Sequence, residues 1–135
     1  MAERHFTPEQ ANALLEEVRP LAETLVEQRR VYVEAAGQHG RLVSHIAGNG
    51  GDLDPAEVRE NAERMEQAAQ AVEQAVAKLH GLGVLVKDLD RGLLDFPALR
   101  GDEEVLLCWQ VGEPEVAYWH GLDEGFAGRK PLDPG

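Results

Sequence analysis

TPEQANALLEEVRPLAETLVEQRRVYVEAAGQHGRLVSHI, residues 7–46, is the stretch on which the fold turns. Leu14, Val18, Leu21, Leu25, Tyr32, Ala35, Leu42 and Ile46 recur at a four-three spacing, with Gln28 and His39 in the two seam positions between them. Side chains that recur about every 3.5 residues line one face of a helix, so the pattern predicts a long helix with a coiled-coil-like seam. Thr7 is a good N-cap, Pro8 suits the first helical position, and Gln10 completes a capping box. Pro20 lies inside the seam and removes one backbone donor, so a bend is expected there.

After Gly48-Asn49-Gly50-Gly51, Asp54 and Pro55 open a second helix whose seam reads Val58, Ala62, Met65, Ala69, Val72, Val76, Leu79, with Gly81 as the expected C-terminal cap. Folded back antiparallel, the two seams set Leu42 against Val58, His39 against Ala62, Ala35 against Met65 and Tyr32 against Ala69. Gln28 then meets Val72, Leu25 meets Val76 and Leu21 meets Leu79. Large residues meet small ones, as close packing requires. In this register the second helix ends opposite residue 21, so the first overhangs it by residues 8–20. The block after Gly83 is the expected cover for Leu14, Leu15 and Val18 in that overhang.

That block is of a different kind. Residues 84–135 hold both tryptophans and runs of Val and Leu broken by Gly and Pro, and they read as strands at 84–87, 93–96, 105–111 and 115–120. Pro97 is expected to end its strand or keep it at an edge. In the last hairpin, an even loop groups Leu107, Trp109, Val111, Val116, Tyr118 and His120 on one face. An odd loop brings Cys108 and His120 together. The even loop gives the cleaner apolar face and is the expected register.

Charge does not divide the chain. Residues 1–83 carry 14 acids and 8 bases and residues 84–135 carry 11 and 5, so each part is −6 within a total of −12. This acidity argues against binding phosphate backbones. A length of 135 residues suits one domain, 1–135, able to bury about two thirds of its unfolded surface, and 43% apolar content argues against disorder. No apolar run is long enough to span a membrane, and no basic-then-apolar leader opens the chain, so a cytoplasmic location is expected. One cysteine rules out a disulfide framework.

Four groups carry possible chemistry. Asp88, Asp90 and Asp95 lie in and beside one turn, and Asp123 and Glu124 follow His120; oxygen ligands with an imidazole suit a divalent metal, whereas aspartates are also common turn formers, the reading favoured here. Cys108 with His120 resembles a nucleophilic pair, but the expected register separates them. His39 and Gln28 in the helical seam read as register-setting polar residues. Gly125 to Lys130 offers two glycines and two bases to an anion, yet reads better as a tight turn anchored by Phe126.

HFTPEQANALLEEVRPL, GVLVKDLDRGLLDFPAL and VLLCWQVGEPEVAYWHGLDEGFAGRKPL, which span most of the chain, resemble the bacterial and archaeal family called domain of unknown function 2203. The resemblance implies a small cytoplasmic protein without an established activity, so it transfers no catalytic residue.

The reading is therefore an α+β protein: a long antiparallel helical hairpin over 1–83, bent near Pro20, followed by a small antiparallel β-meander and tail over 84–135 at its open end. The expected function is a non-enzymatic interaction module, self-associating as a homodimer through the hairpin flanks Leu15, Val26, Val33 and Val43. The alternative is a divalent-metal-binding protein or metal-dependent enzyme, with Asp88, Asp90, Asp95 and His120 as ligands near Glu16 or His5. Neither nucleic acid nor a membrane is expected as a partner.

Overall fold

A computed structural model of the chain describes the backbone of residues 4–49 and 54–132 and the side chains of 4–44 and 54–132. Helix α1 runs Pro8–Asn49 and α2 runs Pro55–Gly81; strands β1 Leu85–Asp88, β2 Leu93–Arg100, β3 Glu103–Gln110, β4 Tyr118–Gly121 and β5 Lys130–Pro131 follow, with a 3-10 turn at Phe126–Gly128 before β5. The five strands form one antiparallel sheet in chain order. Gly50, Gly51 and the Ile46 side chain, which the sequence places in the loop and seam, lie outside the described residues.

Local chemistry sets the helix ends. Thr7 Oγ1 accepts from the Gln10 N–H at 3.1 Å, while Gln10 Oε1 accepts from the Thr7 N–H at 2.9 Å, a reciprocal capping box. Asp54 accepts from the Ala56 N–H with Pro55 in the first turn. α1 stays helical through Pro20, which is exposed, so the carbonyl deprived of its partner faces water. At the end of α2 the structure corrects the expected cap. Gly81 is still helical, and the left-handed position is Gly83, at φ +89°. The Gly83 and Val84 N–H groups return to the His80 and Leu79 carbonyls, a Schellman pattern that lays Val84 in the core with Leu79.

The hairpin forms in the expected direction, and Tyr32, Ala69 and Val72 line one groove. Its phase differs by one residue on α2. Asn61, Ala68 and Ala75 are buried there in place of Ala62, which is exposed, and of Ala69 and Val76, which are half-buried, whereas Leu79 is buried as expected. Asn61 fills the position given to Ala62 and donates to the Ala35 carbonyl at 2.9 Å. On α1 Val18 and Leu25 are buried as expected, Ala11, Leu15 and Ala22 are buried as well, and Leu14 and Leu21 are half-buried beside them. A seam of strict four-three spacing suits a helix with one partner. α1 faces the strand block along its opening segment and α2 beyond it, and the buried stripe is wider where the two partners meet.

The opening segment packs on the strand block as the overhang requires. The Phe6 N–H donates to the Pro97 carbonyl at 2.7 Å, and Phe6 meets Phe96 edge-on with ring centroids 5.4 Å apart. Asn12 holds both backbone groups of Val116, accepting from its N–H at 2.7 Å and donating to its carbonyl at 3.1 Å. Val116 therefore bonds to α1 instead of to β3, which is why β4 begins at Tyr118 and not at the expected residue 115.

β2 also departs from expectation by running through Pro97 as an inner strand. Pairing with β1 stops at Leu85↔Asp95, so Pro97, whose carbonyl points to Phe6, lies where that side has no ladder to break. One sheet face, with Leu94, Phe96, Ala98, Val105, Leu107 and Trp109, builds the core with α1. The other carries Leu93, Asp95, Leu106, Cys108 and His120, all buried as well.

Candidate metal centre

The register of the last hairpin decides the site. β3 and β4 pair as Leu106↔His120, Leu107↔Trp119 and Cys108↔Tyr118, so Cys108 and His120 share a face and both tryptophans share the other. This overturns the expected even loop. Val116, which that loop counted as a strand residue, reaches the core from the connecting segment, clasped by Asn12, so its parity says nothing about β4. Across β2, Asp95 pairs with Cys108 and joins the same face.

The Asp95 carboxylate, the Cys108 thiol and the His120 imidazole are all buried, and their ligand atoms lie within 4.8 Å of one another. His120 Nδ1 sits 2.9 Å from the Gly121 carbonyl, which can only accept, so Nδ1 carries a hydrogen. Nε2 faces Asp95 Oδ1 at 3.1 Å. An unprotonated ring nitrogen and a carboxylate oxygen are both acceptors, so one proton, or another cation, must lie between them. Burial raises the Asp95 carboxyl above its usual range, against opposing pulls from His120 first and Lys87 later. Burial, then the Asp95 charge, pushes the Cys108 thiol up to about 11. A thiol held protonated at neutral pH is a poor nucleophile, which counts against the pair acting alone in covalent chemistry.

A cavity of about 140 Å³ opens beside Asp95 and His120, and the tail forms one wall of it through Leu122, Glu124, Gly125 and Phe126. The tail is fastened at several points. Glu124 Oε1 accepts from the Gly121 N–H at 2.8 Å and from Lys130 Nζ at 2.7 Å. Arg129 donates to Glu113 at 2.8 Å and stacks over Tyr118 and Phe126. The bases of the Gly125–Lys130 segment are thus committed to acids and rings, as the tight-turn reading expects.

The family described as "Uncharacterized conserved protein (DUF2203)" matches residues 4–132 of the chain. The chain belongs to the DUF2203 family. No curated protein and no solved structure matches it.

Of the four acidic and imidazole residues singled out in the DUF2203 chain by sequence, the fold brings two together. Asp95 and His120 meet; Asp88 and Asp90 do not join them. Asp88 Oδ1 accepts from the N–H groups of Asp90 and Arg91 at 2.9 and 3.1 Å, so it builds the turn, and Asp90 pairs with Arg29 at 3.1 Å. His5 pairs with Glu104 at 2.8 Å, and Glu16 lines a separate groove with Arg19 and Pro114, so neither joins the site. Cys108 enters because the register reverses. Its signal in the sequence was parity: only the odd loop puts Trp109 and Trp119 on one side. Among the described residues no helix is long and apolar enough to cross a membrane.

Proposed function

We propose that this DUF2203 protein binds a divalent transition-metal ion through Asp95, Cys108 and His120, leaving one coordination position toward the adjacent cavity. The supporting observation is the convergence of three unlike ligand atoms within 4.8 Å, all on buried residues. Thiolate and imidazole select zinc-class ions over magnesium or calcium, which prefer oxygen. The Gly121 carbonyl holds Nδ1–H and so leaves Nε2 as the donor, the outer-shell arrangement common to metal-bound histidines. Two anionic ligands neutralise the ion's charge, and the ion replaces both the shared Asp95–His120 proton and the thiol proton. Three protein ligands with a fourth position open is the layout of catalytic zinc sites, whereas structural ones are closed.

Zinc titration followed by thermal unfolding tests this. At a free zinc concentration near 100 times Kd, stability should rise by about 2.7 kcal/mol, which for a chain of this size is roughly 10 °C in Tm. Magnesium and calcium should leave Tm unchanged, and Cys108→Ser should lose most of the gain. A Tm indifferent to zinc, in protein that also carries no metal as purified, ends the reading.

Self-association is the second reading. Val33 and Val43, each 50% exposed on α1, favour it, as does the groove at Tyr32, Ala69 and Val72. Leu15, which sequence counted among the outer flanks, is buried against the sheet, so the apolar surface left for a partner is smaller. Light scattering should give twice the chain mass, falling to one chain in Val33→Glu with Val43→Glu. A monomeric wild type ends this reading and leaves the metal proposal untouched.

A further inference from the structure

Lys87 stands on the rim of the cavity beside Asp95 and His120. The ladder between β1 and β2 pairs Val86 with Leu94 and then Asp88 with Leu93, so Lys87 is an extra residue in a bulge. A bulge re-aims the side chain it carries, and such irregularities gather beside functional sites. Val86 packs toward the core, and Lys87, two residues on from Leu85, which pairs with Asp95, lies on the Asp95 side at the bulge.

The charge count around the cavity is specific. Glu124 is neutralised by Lys130 at 2.7 Å. With the metal bound as proposed above, Asp95 and the Cys108 thiolate balance a dication. Lys87 remains, and among the described residues no carboxylate lies within ion-pair distance of it. Of the described charged residues that line the cavity, Lys87 is then the one left without a counter-charge. Leu93, Leu106, Leu122 and Phe126 make its other walls apolar. A space of about 140 Å³ holds four or five waters at ~30 Å³ each, or a ligand of similar bulk.

Resting on the metal reading, we infer that the ligand of this site is a small monoanionic carboxylate with a short apolar body, its carboxylate held between the metal's open position and the Lys87 ammonium. Carboxylate oxygens suit both a zinc-class ion and an ammonium donor, and the hydrocarbon part is matched by the leucine and phenylalanine walls.

Cobalt(II)-loaded protein tests this, because the visible bands of cobalt report changes at the open position. Butyrate should perturb those bands saturably, while butyramide, of the same shape but uncharged, should bind at least tenfold more weakly. Lys87→Gln should keep its cobalt and lose at least tenfold in butyrate affinity. Equal binding of butyrate and butyramide overturns the inference, as does undiminished butyrate affinity in Lys87→Gln. Inorganic phosphate binding more tightly than butyrate overturns the carboxylate assignment. Failure to take up cobalt at all removes the metal reading itself, which the cobalt spectrum alone reveals before any carboxylate is added.

Discussion

Gly92→Ala should destabilise the protein by about 2–5 kcal/mol in equilibrium denaturation. Gly92 has φ +64°, a left-handed conformation that costs other residues about 1–2 kcal/mol. Space is the larger problem. A Cβ there would stand 2.4 Å from Val111 Cγ2 and 2.8 Å from Val26 Cγ2, and forcing extra volume into a packed site costs roughly 1–3 kcal/mol more. Its carbonyl also accepts from the Val111 N–H at 3.2 Å, so the turn cannot slide away without losing that bond. Gly101 provides the control, with φ +66° and open space for 4 Å around the point a Cβ would occupy. Gly101→Ala should show the conformational cost alone. If the two substitutions cost the same, α1 does not seat on the β1–β2 turn as described.

The second large effect separates stability from function at the candidate centre. Asp95→Ala should cost about 1–3 kcal/mol, because it leaves His120 Nε2, on a residue 3% exposed, without its partner in a buried place. Replacing both partners by apolar residues of similar size should behave differently. Asp95→Val with His120→Leu should recover stability to within about 1 kcal/mol of the wild type or exceed it, since a buried pair seldom outweighs its own desolvation. The double variant should bind no zinc. Recovered stability in the double variant would show that the fold does not need the pair, and would so support its proposed role in metal binding. If the double variant is as unstable as Asp95→Ala, the pair is part of the architecture and the case for a metal there weakens.

The two helices, their caps and their antiparallel pairing were legible because each rests on near neighbours in the chain. Thr7 and Gln10 bond across three residues, and an apolar stripe repeats whatever the rest of the molecule does. The phase of that stripe was less legible. Leu14 and Leu15 are adjacent and equally apolar, and only the arrival of the sheet on a second side of α1 buries Leu15 more deeply.

The centre itself was decided far from its own residues. Asp95, Cys108 and His120 carry no spacing signature, since they come from three strands and meet only through ladder register. A strand's side chains alternate, so one residue more or less in a connection sends every one of them to the opposite face. Asn12, on the first helix, withdraws Val116 from the ladder and so helps set where β4 begins. By itself the sequence determined that two rods pair head to tail and that a ribbon covers the overhanging one, because periodicity and capping are local. Tertiary structure alone decided which face of the ribbon holds the thiol, the imidazole and the carboxylate, because register is settled by contacts between segments about a hundred residues apart.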